Sequence, residues 1–285
     1  LHRLVVIGFA FILLSCSGSP PVSSKPGEMR QPPLSLTVAD SLWSLRADST
    51  HSLAALHSYR RLFQQDTASI PLGAKLSRAY YHHGQYFEND PSQRDSLFMK
   101  GYQISQKVFI LNADYHELLF STGDENIAIK ALGRTYLDLM YWGMANYGQW
   151  LATKGRLIRL GQREIIWTTL EHINDLDSSY YYGAYYRYKG ALMSRDPEFQ
   201  TQTDEIRACF EMARQISPKY LGNNTLMAGF YCPLTRDKDL FYKLLTEVIT
   251  ASSDPKLPFH PENLCEKKRA ERLMIKAEKE KWFEK

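Results

Sequence analysis

The chain has 285 residues, 44% of them hydrophobic and 23% charged, and a formal charge of +4. Such a composition belongs to a globular protein of one large or two small domains, and a charge this close to balance gives nucleic acid no footing as a partner. Aromatic residues reach 13%, with 18 Tyr and 5 Trp; Tyr couples apolar area to a polar hydroxyl, which suits grooves as well as cores.

The first element is an apolar run from Leu4 to Leu14 behind the basic Arg3. At about eleven residues it is too short to span a bilayer, which needs roughly 20 in a helix, and it has the length of a secretory signal. The "LLSC" that follows (Leu13, Leu14, Ser15, Cys16) resembles the bacterial lipobox. That resemblance implies a signal peptide over 1–15, cleavage before Cys16, and acylation of Cys16 as a membrane anchor. Each buried acyl CH₂ adds about 0.8 kcal/mol, so two or three chains hold stably. The alternative is an ordinary signal peptide with an incidental Cys16. Ser17, where some bacteria use Asp to retain lipoproteins in the inner membrane, favours the outer membrane. Residues 16–33 are rich in Ser, Pro and Gly, lack apolar periodicity, and read as a flexible tether.

From residue 34 to 285 the pattern is all-α. Helical periodicity predicts helices near 36–46, 51–65, 70–88, 92–111, 125–154, 162–174, 181–194, 203–216, 219–231, 237–250 and 262–283, punctuated by Asn89-Asp90-Pro91, Gly155, Gly161, Asp196-Pro197, Ser217-Pro218 and Asp254-Pro255. Short connections imply antiparallel pairs. Phe210, Ala213 and Pro218 have the spacing of a tetratricopeptide second helix, and 76–86 and 179–193 resemble first helices. The expectation is a single helical-repeat domain of tetratricopeptide-like pairs. Three cysteines remain after lipidation, Cys209, Cys232 and Cys265; their spacing carries no zinc pattern and fits buried thiols, or one disulfide in an oxidising compartment.

Catalytic motifs are missing. There is no Walker A loop, Rossmann fingerprint or nucleophile elbow, and "HELLF" (116–120) ends in Phe where a zincin needs its second His. His82 and His83 are adjacent and point about 100° apart on a helix, a poor chelate. No cofactor is expected. The Asp175/Asp177 and Asp237/Asp239 pairs suit helix capping, and 266–281 reads as a solvated face of interleaved charge.

The aromatic stretches are the informative ones. In "YWGMANYGQW" (141–150), Trp142, Ala145, Asn146, Gln149 and Trp150 share a helical face, with Gly143 beside it. The strip is either inter-helix packing or the wall of a cleft; amides in an apolar core need partners or cost a few kcal/mol. In "SSYYYGAYYRY" (178–188), Tyr181, Tyr185 and Tyr188 fall at core spacing, and Tyr182 and Tyr186 flank the neighbouring face.

These segments together resemble the T component of tripartite ATP-independent periplasmic (TRAP) transporters, the TatT-like lipoproteins. "MYWGMANYGQWLATKG", "INDLDSSYYYGAYYRYKGALM", "ARQISPKYLGNNTLMAGFYCPLTRDKDLFYKLLTEVI" and "ENLCEKKRAERLM" occur in the family's order over roughly 36–285. The chain departs from it at Ala184-Tyr185, Gly229 and Cys232, where the family often has Gly-Pro, an acidic residue and an Arg. The resemblance implies a non-enzymatic, lipid-anchored periplasmic homotrimer. It would bind the solute-binding P component, a small hydrophobic organic ligand, or both, and Trp142, Asn146, Trp150, Tyr182 and Asn223 are the residues expected to line the site. The rival readings are a tetratricopeptide-like scaffold lipoprotein for outer-membrane assembly or uptake, and a cell-wall sugar hydrolase, which would need a carboxylic acid of raised pKa in a cleft.

Overall fold

The computed structural model describes residues 34–284. The expected signal peptide (1–15), Cys16 and the 16–33 tether lie outside the described residues. Within them the protein is all-helical, with thirteen α-helices and no strand. In chain order these are α1 (Leu36–Ser44), α2 (Ser49–Gln65), α3 (Ile70–Tyr86), α4 (Pro91–Phe109), α5 (Ala113–Thr122), α6 (Glu125–Ala128), α7 (Leu137–Ala152), α8 (Arg156–Leu176), α9 (Tyr180–Met193), α10 (Thr203–Ile216), α11 (Gly222–Thr235), α12 (Lys238–Thr250) and α13 (His260–Lys279). None is long and apolar enough to cross a membrane.

The helix starts follow from side chains that satisfy the orphan N–H groups of a first turn. Ser35, Asp48, Ser69, Asp90 and Asn112 accept from the backbone N–H three residues on. Asp237, one of the paired carboxylates, caps α12 in the same way, by accepting from Leu240. Asp177 instead accepts from the Ser179 N–H and hydroxyl in the turn after α8.

Helices adjacent in sequence pack on one another from α1 to α4 and again from α9 to α13, while α7 crosses back onto α3 and α4. One core, built by α1–α9, centres on Tyr59, Tyr115, Leu139, Met140 and Tyr141; a second, built by α9–α13, centres on Phe210, Met227, Phe241 and Leu245. The half-buried Trp167 packs against both. Cys209, Cys232 and Cys265 are buried free thiols, and burial pushes the Cys232 and Cys265 thiols up to about 12.

Four readings of the sequence need correction. The expected helix over 125–154 is broken: α6 is followed by two 3₁₀ turns, Ile129–Ala131 and Arg134–Tyr136, before α7 begins. Leu132 (ψ 115°) and Gly133 (ψ −173°) take extended backbone, which interrupts the helical run although Ala128, Ile129 and Leu132 are all buried. α5 was not anticipated; its Asn112 cap and its left-handed Gly123 stop frame a helix with only one buried residue, so its apolar period is faint. Gly161 lies inside α8 rather than before it. Tyr181 is not in register with Tyr185 and Tyr188, because the backbone is left-handed at Tyr181, Tyr182 and Gly183.

Candidate functional site

The "YWGMANYGQW" segment forms most of α7, and its small residues set how closely α4 approaches. A Cβ on Gly143 would sit 2.3 Å from the Ser105 hydroxyl, and one on Gly101 would sit 2.4 Å from the Asn146 amide. Asn146 is fully buried. Its Nδ2 donates to the Ser77 carbonyl (2.9 Å), the Ser77 hydroxyl (3.2 Å) and the Trp142 carbonyl (2.8 Å). It therefore ties α7 to α3 and faces no cavity. Trp150 lies at the C-terminal end of α7, half-buried, stacked on Tyr147 (5.7 Å, 11°) with the Lys154 ammonium 4.6 Å from its ring. Trp142 points the other way, into the interior.

That interior is organised by the left-handed turn at the start of α9. Tyr181 (φ 44°), Tyr182 (φ 61°) and Gly183 (φ 80°) are successive left-handed residues, which cost an L-residue roughly 1–2 kcal/mol each. Two side chains hold the turn. Arg187 Nη1 donates to the Tyr181 and Tyr182 carbonyls (2.9 and 3.1 Å) and its Nη2 to the Tyr141 hydroxyl (2.7 Å). Asn223 Nδ2 donates to the Ala213 carbonyl (2.8 Å) and, at 3.3 Å, to the Tyr182 carbonyl. Gly183 is required twice over: by its φ, and because a Cβ would come within 3.0 Å of the Ala213 backbone.

The turn fans out three rings. Tyr180 donates to Asp138. Tyr181 packs edge-on to Trp142 (4.9 Å), and its hydroxyl accepts from Arg78 Nη2 (3.0 Å). Tyr182 stacks on Tyr220 (5.0 Å) and meets Phe259 (4.6 Å). Trp142 and Tyr181 thereby line a cavity of about 20 Å³, space for a single water, shared with Tyr81, Tyr86, Tyr188, Arg78, Arg187 and Arg269.

Two carboxylates from α13 close this cavity. Glu262 is 3% exposed and receives Arg46 through two bonds (2.9 and 2.5 Å) and Arg78 through one (2.7 Å). Burial alone would raise its carboxyl, but the Arg78 and Arg46 charges outweigh burial and hold it at about 2. Glu266 is 2% exposed; it accepts from the Tyr86 hydroxyl (2.5 Å) and Arg269 (3.3 Å). The reading of 266–281 as a solvated face therefore fails at its first residue. Burial pushes the His82 imidazole down to about 3, so it is neutral at physiological pH.

A second cavity, of about 570 Å³, lies between the C-terminal end of α7, the N-terminal half of α8 and the connection leaving α9. Leu151, Leu160, Ile166, Trp167 and Leu192 supply apolar walls; Arg156, Arg159, Arg163 and Arg195 supply charge. A space of about 60 Å³ lies between the two regions, sharing Gly148, Ile166, Leu192 and Arg195 with the large cavity and Tyr81, Tyr188, Leu226 and Arg269 with the aromatic one.

Of the five expected site residues, the structure thus gathers Trp142, Tyr182 and Asn223 around the left-handed turn, with Asn223 as its brace. It leaves Asn146 in the α3–α7 contact and Trp150 apart. Sequence reasoning missed Arg78, Arg187, Glu262 and Glu266. The signals were an Arg inside a run of Tyr, and Glu262 with Glu266 one helical turn apart on a single face. Among the described residues the carboxyl with a raised pKa is Glu125, through burial; it accepts from Gln106 in a space of about 20 Å³ that no sugar fits. No curated protein matches the chain. A family model described as TAtT, TRAP transporter T-component, matches residues 54–283.

Proposed function

Because the chain belongs to the TRAP transporter T-component family, a family of transport accessory subunits rather than enzymes, we propose that it is a lipid-anchored periplasmic subunit that binds a solute-binding P protein and a small, largely apolar organic ligand. Membership itself gives the accessory role in TRAP transport. The observation that supports the finer reading is the large space beside α8, with a smaller space between it and the Trp142–Tyr181 region. Binding pockets typically enclose about 300–1,000 Å³, and the large cavity has that size, with apolar and charged side chains both in its lining.

In this reading the helix pairs stack as a tetratricopeptide-like array, and Cys16 carries the acyl anchor that holds the protein on the periplasmic side of the outer membrane. Trp142, Tyr182 and Asn223 shape the inner end of the ligand path; Trp150 and Asn146 hold α7, which forms its wall. Leu157 (86% exposed) and Ile158 (50%) on the outer side of α8 offer apolar surface for a protein partner, either the P protein or two further copies in a homotrimer. Titration of the purified protein with the solute-binding P protein of a TRAP system from the same organism tests the partner; no binding at high micromolar concentration, with or without ligand, would sink the reading. A Cys16→Ala variant that still fractionates with membranes and takes up no labelled lipid would remove the anchor.

A further inference from the structure

The large cavity carries more positive charge than its surroundings neutralise. Arg156, Arg159, Leu160, Arg163, Ile166 and Trp167 fall on one face of α8, and that face looks into the cavity. Arg195 enters from the opposite wall. One of the four arginines is matched: Arg163 donates to Asp196 (2.6 Å) and Glu198 (2.9 Å). Among the described residues, Arg156, Arg159 and Arg195 have no carboxylate partner. The Arg195 guanidinium instead lies 4.4 Å from the Phe230 ring. Packing against protein, together with the charges of Arg159 and Arg269, pushes it below its usual value.

Arg156, Arg159 and Arg195 are all exposed, so water hydrates them and screens their repulsion; what they give the cavity is an uncompensated positive field that attracts an anion. A cation is excluded by their sign. A bare inorganic anion would leave the walls of Leu151, Ile166, Trp167 and Leu192 uncovered, and arginine presents a planar fork that matches carboxylate oxygens in pairs. We propose that this cavity binds an amphiphilic organic anion, its carboxylate-type head on Arg156, Arg159 and Arg195 and its apolar tail along Leu151, Ile166, Trp167 and Leu192. The inference rests on the reading that the protein takes a small organic ligand, and it gives that ligand a charge and an orientation: head at the arginines, tail on the apolar wall of the same cavity.

The test is equilibrium dialysis of the full chain, in phosphatidylcholine nanodiscs with empty nanodiscs as blank, against decanoate, 1-decanol and inorganic phosphate. Decanoate is expected to bind saturably and at least about tenfold more tightly than decanol. The R159Q/R195Q double variant should lose at least about tenfold in affinity for decanoate, and R159K/R195K, which keeps the charge without the fork, should fall between it and the parent. A folded state matching the parent by circular dichroism makes the comparison valid, and the lysine pair controls for packing. Equal binding of decanoate and decanol, unchanged in R159Q/R195Q, would overturn the headgroup assignment while leaving the small-ligand reading standing. Phosphate binding as tight as decanoate would overturn the amphiphile. Failure of both decanoate and decanol to bind would overturn the inference outright, and the P-protein titration would then decide separately whether the transport reading survives.

Discussion

Two groups of four arginines lie side by side in this protein, and they are treated oppositely. In the aromatic interior every guanidinium is met: Arg46 and Arg78 by Glu262, Arg269 by Glu266, and Arg187 by two carbonyls and the Tyr141 hydroxyl. Around the large cavity only Arg163 has carboxylates. The guanidinium pKa values follow this division. Burial works against the charged form in both regions, but at Arg78 the Tyr181 and Glu262 groups outweigh it and the value rises, whereas at Arg195 the neighbouring Arg159 and Arg269 add to it and the value falls. A matched, buried set of charges fixes an architecture; an unmatched, exposed set leaves a positive field open to an anion.

The sharpest way to break this contrast is to unmatch the interior. Removing one partner of a buried ion pair costs about 3–5 kcal/mol, because the other charge stays behind. Glu262→Ala strands two arginines at once, one of them 4% exposed. Its unfolding free energy, from urea denaturation, is expected to fall by at least about 4 kcal/mol. A loss below about 1 kcal/mol, in the range of exposed pairs, would show that the interior network is no more structural than the cavity arginines.

Acid attacks the same network more gently. His82 has a folded pKa of about 3 against an ordinary 6.5, so the unfolded chain takes up the proton first. Stability is therefore complete above pH 6.5 and is lost as pH falls from there toward 3. By pH 4 the loss is about 3 kcal/mol. Glu262, held at about 2 against 4.5, adds a second loss that begins below 4.5 and runs down to 2. Denaturation midpoints at pH 7.5, 5.5 and 4 should fall in that order, and His82→Gln should flatten the step between 7.5 and 5.5. An unchanged step in that variant would assign the acid sensitivity elsewhere.

A third substitution asks where architecture ends along α7. Gly101→Ala drives a methyl into the Asn146 amide and should cost about 1–3 kcal/mol by overpacking. The same change in an Asn146→Ala background should cost clearly less, since the two groups compete for one space. Additive costs would mean that Asn146 is free to move, and the strip from Tyr141 to Trp150 would regain its claim to be a pocket wall along its full length.

How much of this could be read from the chain depends on how local the cause was. The helix starts at 36 and 70 were legible because the Ser35 and Ser69 caps act within three residues. The three-way choice at Trp142, Asn146 and Trp150 was not. A helical wheel puts them on one face, but which neighbour each meets depends on Gly101, Ser77 and Tyr181, from α4, α3 and α9. The left-handed turn was hidden for a related reason. Tyr disfavours positive φ, and the residues that hold the turn, Arg187 and Asn223, lie on opposite sides of α10 in sequence. Glu262 and Glu266 resemble any charged helix face until α3 supplies Arg78 and Tyr86.

The smallest expected effect bears most on the comparison. If the cavity arginines await a ligand, removing their charge should cost the unliganded fold almost nothing. R159Q/R195Q is expected to unfold within about 0.5 kcal/mol of the parent, as surface substitutions away from special features do. The sign should favour the variant, because relief of repulsion among Arg159, Arg195 and Arg269 offsets the lost contact with Phe230. The measurement is urea denaturation at low ionic strength and again at about 0.5 M salt. Salt shortens the Debye length to only a few ångströms, so it should stabilise the parent more than the variant. A loss of about 2 kcal/mol in the variant would place Arg195 among the structural arginines, and the two groups would then differ only in how deeply they are buried.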